Sequence, residues 1–327
     1  MRTWLSLMWG WLAGGLVMLQ AVPGFAQAPG AAVPDEILPD EQLFDRQADV
    51  IYSRKFGTAL TLDVFTPQHK RNGRGLIYVV SGGWTSFHEA INPGPIREFV
   101  RRGYTVFPVV HGSQPKFTIP EILYDLHRSV RYVRHHAAKY GIDPDHIGIY
   151  GGSAGGHLSL MQGTAGQPGN PEAADPVDRH SSRVQAVACF YPPTDFLNYG
   201  KPGESALGEG VLVNFKAPFQ FRELDAPRNT WVPVTDERRF REIGRQISPV
   251  YHVSPDDAPA LLIHGDADQL VPLQQSERIV AAYRDQKVPV ELIIKPGQAH
   301  GWPKLHDDLV HFADWFDRHL SESAPSK

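Results

Sequence analysis

The chain has 327 residues, of which 42% are hydrophobic and 21% charged, a globular composition that excludes a wholly disordered or collagen-like protein. Its 32 basic and 36 acidic side chains give a formal charge of −4 with no block of like sign. That balance excludes the electrostatic footprint of a nucleic-acid binder or of a protein held on an anionic membrane surface. The single cysteine, Cys189, excludes an internal disulfide and a cysteine-based zinc site.

In chain order, Arg2 is followed by an uncharged apolar run over residues 3–22 and then by small residues around Gly24 and Ala26. A short basic start, an apolar stretch and small residues near a cleavage point predict a secretory signal peptide over residues 1–26. The expected location is therefore secreted or periplasmic, with no stable membrane association after cleavage. The run is also long enough to serve as an uncleaved anchor, since about twenty apolar residues span a bilayer. Residues 27–45, rich in Ala, Pro and acids, read as a loose leader, and 46–322 as a single domain.

Within that domain, strand and helix alternate. Period-two patterning over residues 58–65, closed by Thr66-Pro67, predicts a strand; the apolar run 76–80 predicts a buried parallel one. A helix is expected over 91–102, ended by Gly103, and a buried strand over 104–110. Ile122, Leu126, Val130, Val133 and Ala137 fall at helical spacing up to Gly141. Strands follow at 146–150, 184–190, 260–264 and 290–295, with helices over 272–287 and 305–320. This order predicts an α/β fold: a mostly parallel central sheet with helices on both faces. Residues 195–248 break the rhythm and are too long for a structureless loop, so they read as a lid-like insertion. Its rings Phe215, Phe219, Phe221 and Trp231 are expected to bury against a pocket mouth near Ser153.

The strongest chemical signal is Gly151-Gly152-Ser153-Ala154-Gly155 between a predicted strand and helix. It matches G-x-S-x-G, the sharp turn that exposes a nucleophilic serine. A serine nucleophile needs a base and the base an orienting acid, here in the chain order Ser, acid, His. Asp268 and His300 follow successive apolar strands and would reach the same sheet edge as Ser153. Asp266 competes with Asp268 and could instead stabilise its turn; Asp268 is preferred. His157, on the helix after Ser153, suits a hydrogen-bonding role, and His306, His311 and His319 suit a solvated surface. A developing oxyanion needs backbone donors, which Ala154 and the Ser81-Gly82-Gly83-Trp84 loop could supply.

From about residue 52 to 320 the chain resembles the α/β-hydrolases of the esterase and lipase type, near the BD-FAE-like and hormone-sensitive-lipase-like groups. The resemblance is carried by residues 62–67, Gly82-Gly83-Trp84, residues 140–144, Gly152-Ser153-Ala154-Gly155-Gly156-His157, residues 268–272 and His300-Gly301. It implies Ser153 as nucleophile, Asp268 as orienting acid, His300 as base, and the amides of Gly83, Trp84 and Ala154 as oxyanion donors. It implies carboxylic-ester hydrolysis through an acyl-enzyme on a small or polysaccharide-linked ester, with no metal or organic cofactor. A prolyl-oligopeptidase-type peptidase would share the triad, and a hydrolase-fold binding protein would have lost it. Two departures stand out. The histidine that usually precedes the glycine pair is Ser81 here, and residues 110–115 lack the Tyr-Arg-Leu-Ala-Pro-like segment of many relatives.

Overall fold

The computed structural model describes residues 39–321. The expected signal segment and residues 27–38 of the expected leader lie outside the described residues. The remainder of that leader is ordered, contrary to expectation. Helix α1 (Asp40–Leu43) runs straight into strand β1 (Phe44–Lys55). Leu43 and Phe44 are buried, and the Phe44 ring meets Phe65 edge-on at 4.9 Å, so apolar burial ties this part of the expected leader into the fold.

The rest follows in order: β2 (Thr58–Pro67), β3 (Gly75–Val79), α2 (Arg97–Arg101), β4 (Thr105–Val109), α3 (Ile119–His135) and α4 (Ala137–Tyr140). Then come β5 (Ile147–Gly152), α5 (Ala154–Thr164), β6 (Ala186–Phe190), β7 (Arg222–Asp225), β8 (Thr230–Pro233) and α6 (Glu237–Gln246). The chain closes with β9 (Ala260–Gly265), α7 (Gln274–Asp285), β10 (Val290–Lys295) and α8 (Leu309–His319). Among the described residues, eight strands form one sheet in the order β1-β2-β4-β3-β5-β6-β9-β10. Pairing is antiparallel from β1 through β2 to β4 and parallel beyond.

Buried parallel strands are apolar on both sides, and each side here feeds its own core. Ile77, Ile149, Val187 and Leu262 face α3, α5 and α7, whereas Leu76, Tyr150, Ala188 and Leu261 face α2 and α8. Strand register carries the functional consequence. Tyr78 is level with Tyr150, Gly152 with Phe190, Phe190 with Ile263 and Gly265 with Lys295. The loops after β3, β5, β6, β9 and β10 therefore leave the sheet along one edge.

Two elements differ from the sequence expectation. The helix expected over 91–102 shrinks to α2, because Pro93 and Pro95 disfavour helical backbone at the residues before them. Within 195–248, Phe219 and Phe221 are buried, but Trp231 is 52% exposed, contrary to the expectation that it would bury. It stands on the separate β7–β8 hairpin, whose strand β8 is exposed throughout, with Arg222 over its ring at 5.9 Å. Among the described residues, no helix is long and apolar enough to cross a membrane.

Candidate active site

Strand β5 ends in Gly151-Gly152, and the chain turns at Ser153 into α5. Ser153 has φ 54° and ψ −121°, a conformation that costs a non-glycine residue about 1–3 kcal/mol and is retained only where neighbours enforce it. The flanking glycines permit the close backbone packing this turn needs. A Cβ on Gly151 would lie 2.6 Å from the Gly155 carbonyl carbon, and one on Gly155 would lie 2.8 Å from the Val79 oxygen. The Ser153 amide is tied to the Phe190 carbonyl at 3.0 Å, which locks the turn to the neighbouring strand.

His300, in the loop after β10, meets this serine. Its Nε2 lies 2.9 Å from Ser153 Oγ and its Nδ1 lies 2.7 Å from Asp268 Oδ2. A carboxylate only accepts, so Nδ1 carries the proton and the bare Nε2 accepts from the serine hydroxyl. The ring is backed by Tyr191, whose centroid is 4.5 Å away. Asp268 Oδ1 also accepts from the amides of Leu270 and Val271, both at 2.9 Å. Burial by itself would raise the Asp268 pKa. The hydrogen bonds from His264, His300 and the Val271 amide outweigh it and hold the carboxyl below the ordinary carboxylate range. Asp266, by contrast, is exposed and accepts from the Gly297 amide at 2.6 Å, bracing the β10 turn.

His264 is a partner that the sequence reading passed over. It is fully buried, and its Nε2 faces both the Val271 carbonyl at 2.8 Å and Asp268 Oδ2 at 3.3 Å. Both are acceptors, so Nε2–H is shared between them while Nδ1 accepts from Ser276 at 2.7 Å. Its position directly before Gly265-Asp266 was the only available signal.

Gly82 and Thr85 close a two-residue turn by reciprocal amide–carbonyl bonds of 3.1 and 3.0 Å. Gly83 at φ 56° and Trp84 at φ 60° lie between them, as a type I′ turn requires. Trp84 is held in this unfavourable region by its side chain, which is 2% exposed. Its Nε1–H donates to His157 Nδ1 at 3.1 Å, and its ring meets Phe219 at 5.2 Å and Phe215 at 6.5 Å. His157 in turn donates from Nε2 to the Ile247 carbonyl at 2.7 Å, and burial lowers its pKa to about 4. Among the described residues, neither the Gly83 nor the Trp84 amide donates to another backbone group. Ala154 opens α5, where the amide has no intrahelical partner.

Among the described residues, no group of three or more His, Cys, Asp and Glu side chains could hold a metal ion. A groove of about 740 Å³ opens between β1 and α3, and none of Ser153, Asp268 and His300 lines it. Its Lys55 is paired with Asp125 and its Arg128 with Asp175 and Asp178, so these charges brace the surrounding chain.

The chain is 28% identical over 298 residues to a probable carboxylic ester hydrolase of Mycobacterium tuberculosis, LipM, covering 90% of this chain and 64% of that one. It is 29% identical over 214 residues to the esterase LipQ of the same organism, covering 64% of this chain and 45% of that one. The chain thus spans less than two thirds of the length of either relative. A solved truncated form of a carbohydrate esterase from gut microbiota shares 24% identity at a TM-score of 0.69, covering 87% of this chain and 99% of that one. At that identity the likeness shows the fold, the α/β-hydrolase arrangement of a mostly parallel sheet flanked by helices. The model of one family, BD-FAE, matches residues 62–283, from β2 through the serine turn and Asp268 into α7. That match covers more than half of the sequence, and the chain belongs to the BD-FAE family.

Proposed function

We propose that this chain is an exported serine carboxylic-ester hydrolase that works through an acyl-enzyme. In this reading Ser153 attacks the ester carbonyl as His300 Nε2 takes its proton, and Asp268 holds the imidazole tautomer and stabilises the imidazolium. The amides of Gly83, Trp84 and Ala154 receive the oxyanion; such a donor contributes about 10²–10³ in rate. His300 then protonates the leaving alcohol, and water repeats the sequence to release the acid. One observation carries the reading: the unbroken hydrogen-bond chain Ser153–His300–Asp268 beside a turn with uncommitted amides. The lowered Asp268 pKa supports it, because an orienting carboxylate must stay ionised at neutral pH.

The substrates are esters, and we assign acyl groups on plant or algal polysaccharides as the class. The similarity to a carbohydrate esterase, and the apolar N-terminal run read as an export signal, both favour that choice. The segment 195–248 borders the substrate pocket, since its Phe215 and Phe219 pack on Trp84 in the donor turn. A fluorophosphonate probe tests the core of the reading. It should label Ser153 alone, as read by peptide mass spectrometry, and labelling should abolish hydrolysis of p-nitrophenyl acetate. No label at Ser153, or full activity in the labelled protein, would sink it. The mass of the mature N-terminus tests export, which predicts a start at Gln27.

A further inference from the structure

The two departures from the family pattern, Ser81 and the segment after β4, lie against one another. His111 is buried, and its Nδ1–H donates to the Gly112 carbonyl at 2.8 Å, which leaves Nε2 to accept from Ser81 Oγ at 2.9 Å. The His111 amide donates to Ser86 Oγ at 3.2 Å, and the Ser86 amide donates to Ser113 Oγ at 3.1 Å. Gln114 completes the contact: its side-chain Nε2 donates to the Gly83 carbonyl at 3.1 Å and its backbone amide to the Trp84 carbonyl at 3.1 Å.

These bonds determine where the donor amides point. In a trans peptide the C=O and the next residue's N–H lie in one plane and face opposite ways, so gripping the oxygen aims the hydrogen. The Gly82 carbonyl is held by the Thr85 amide, which aims Gly83 N–H from within the turn. The Gly83 carbonyl is held by Gln114, which aims Trp84 N–H from another strand's end. We propose that Gln114 is a positioning residue for the Trp84 oxyanion donor, and that the His111–Ser81 pair anchors the same turn in place of the absent histidine.

This inference rests on the esterase reading, and the test separates the two. Gln114→Met keeps the length but removes the donor, and Gln114→Glu keeps the shape but presents an acceptor to the Gly83 carbonyl. Each variant is measured for kcat and KM on p-nitrophenyl acetate, for thermal midpoint, and for inhibition by phenylboronic acid, whose tetrahedral adduct at Ser153 needs the oxyanion donors. Misaiming a donor should cost less than deleting it, so kcat should fall about 10- to 100-fold with KM within about threefold. The boronate Ki should rise by the same factor as kcat/KM falls, with the midpoint little changed. A kcat within twofold of wild type in both variants would overturn the positioning role. So would a loss of kcat that leaves boronate affinity intact. If Gln114→Met does not fold, the isosteric Gln114→Glu carries the same two readouts. Wild-type protein that neither turns over ester nor binds boronate would instead remove the functional reading itself.

Discussion

The two halves of the candidate site are built by different means. On one side, Ser153, Asp268 and His300 stand just beyond the ends of β5, β9 and β10, where the register of a parallel ladder sets their spacing. On the other, the turn Gly82–Thr85 lies outside the sheet: its own backbone bonds close it, and side chains fix it in place, Trp84 in its aromatic pocket, Gln114 on a carbonyl, His111 on Ser81. The first side takes its precision from backbone hydrogen bonds that a point mutation does not remove. The second depends on individual side chains from distant parts of the chain, so substitutions there should tune rate without unmaking the nucleophile.

The largest expected effect breaks the first side. Ser153→Ala should lower ester turnover by roughly 10⁴–10⁶ with the fold intact, because triad members act as a unit. Retention of a tenth of wild-type activity would show the nucleophile to be another residue. Next, Asp268→Asn should cost about 10⁴ in kcat by fixing the wrong imidazole tautomer, whereas Asp266→Asn, which only loosens the Gly297 turn, should cost less than about tenfold. Equal losses in the pair would mean that the sheet edge does not discriminate the two carboxylates.

A third comparison lies within the inserted segment. Phe219→Ala removes a buried ring from the Trp84 cluster and should destabilise by about 3–5 kcal/mol, whereas Trp231→Ala on the exposed hairpin should stay within about 1 kcal/mol. Differential scanning calorimetry reads the contrast, and a larger drop for Trp231 would mean that the hairpin carries the packing. A fourth comparison concerns protons. Burial, the dominant cause, lowers His111, His127 and His157 to about 4. The unfolded chain therefore binds more protons than the folded one between pH 4 and about 6.5. The stability from these groups is fully present above about 6.5 and falls as pH drops, by up to about 2 kcal/mol for each at pH 5. The thermal midpoint should decline from pH 7 to pH 5, and less steeply in His127→Gln; a flat profile would contradict neutral burial.

The serine turn and the succession of strands and helices along the chain were legible in the sequence, because each depends on neighbours within a few residues. Gly151 and Gly155 are required by the closeness of backbone around Ser153, and the apolar runs of β3, β5 and β9 suit strands buried on both faces. Strand β1 was not legible: it is an edge strand of mixed polarity, with register shifts between Gln47 and Val50 and between Ile51 and Ser53 that erase alternation. Nor was the exposure of Trp231, since a ring's burial depends on what covers its hairpin. His264 behind Asp268 and Gln114 beneath Gly83 were also out of reach. The Gly83–Gln114 bond joins residues 31 apart, through a carbonyl that leaves no mark on side-chain pattern. Residue type and local spacing prescribe which groups can react and which turns can form. The direction in which a backbone amide points, and the partner that keeps it there, exist only once separate strands have been brought side by side.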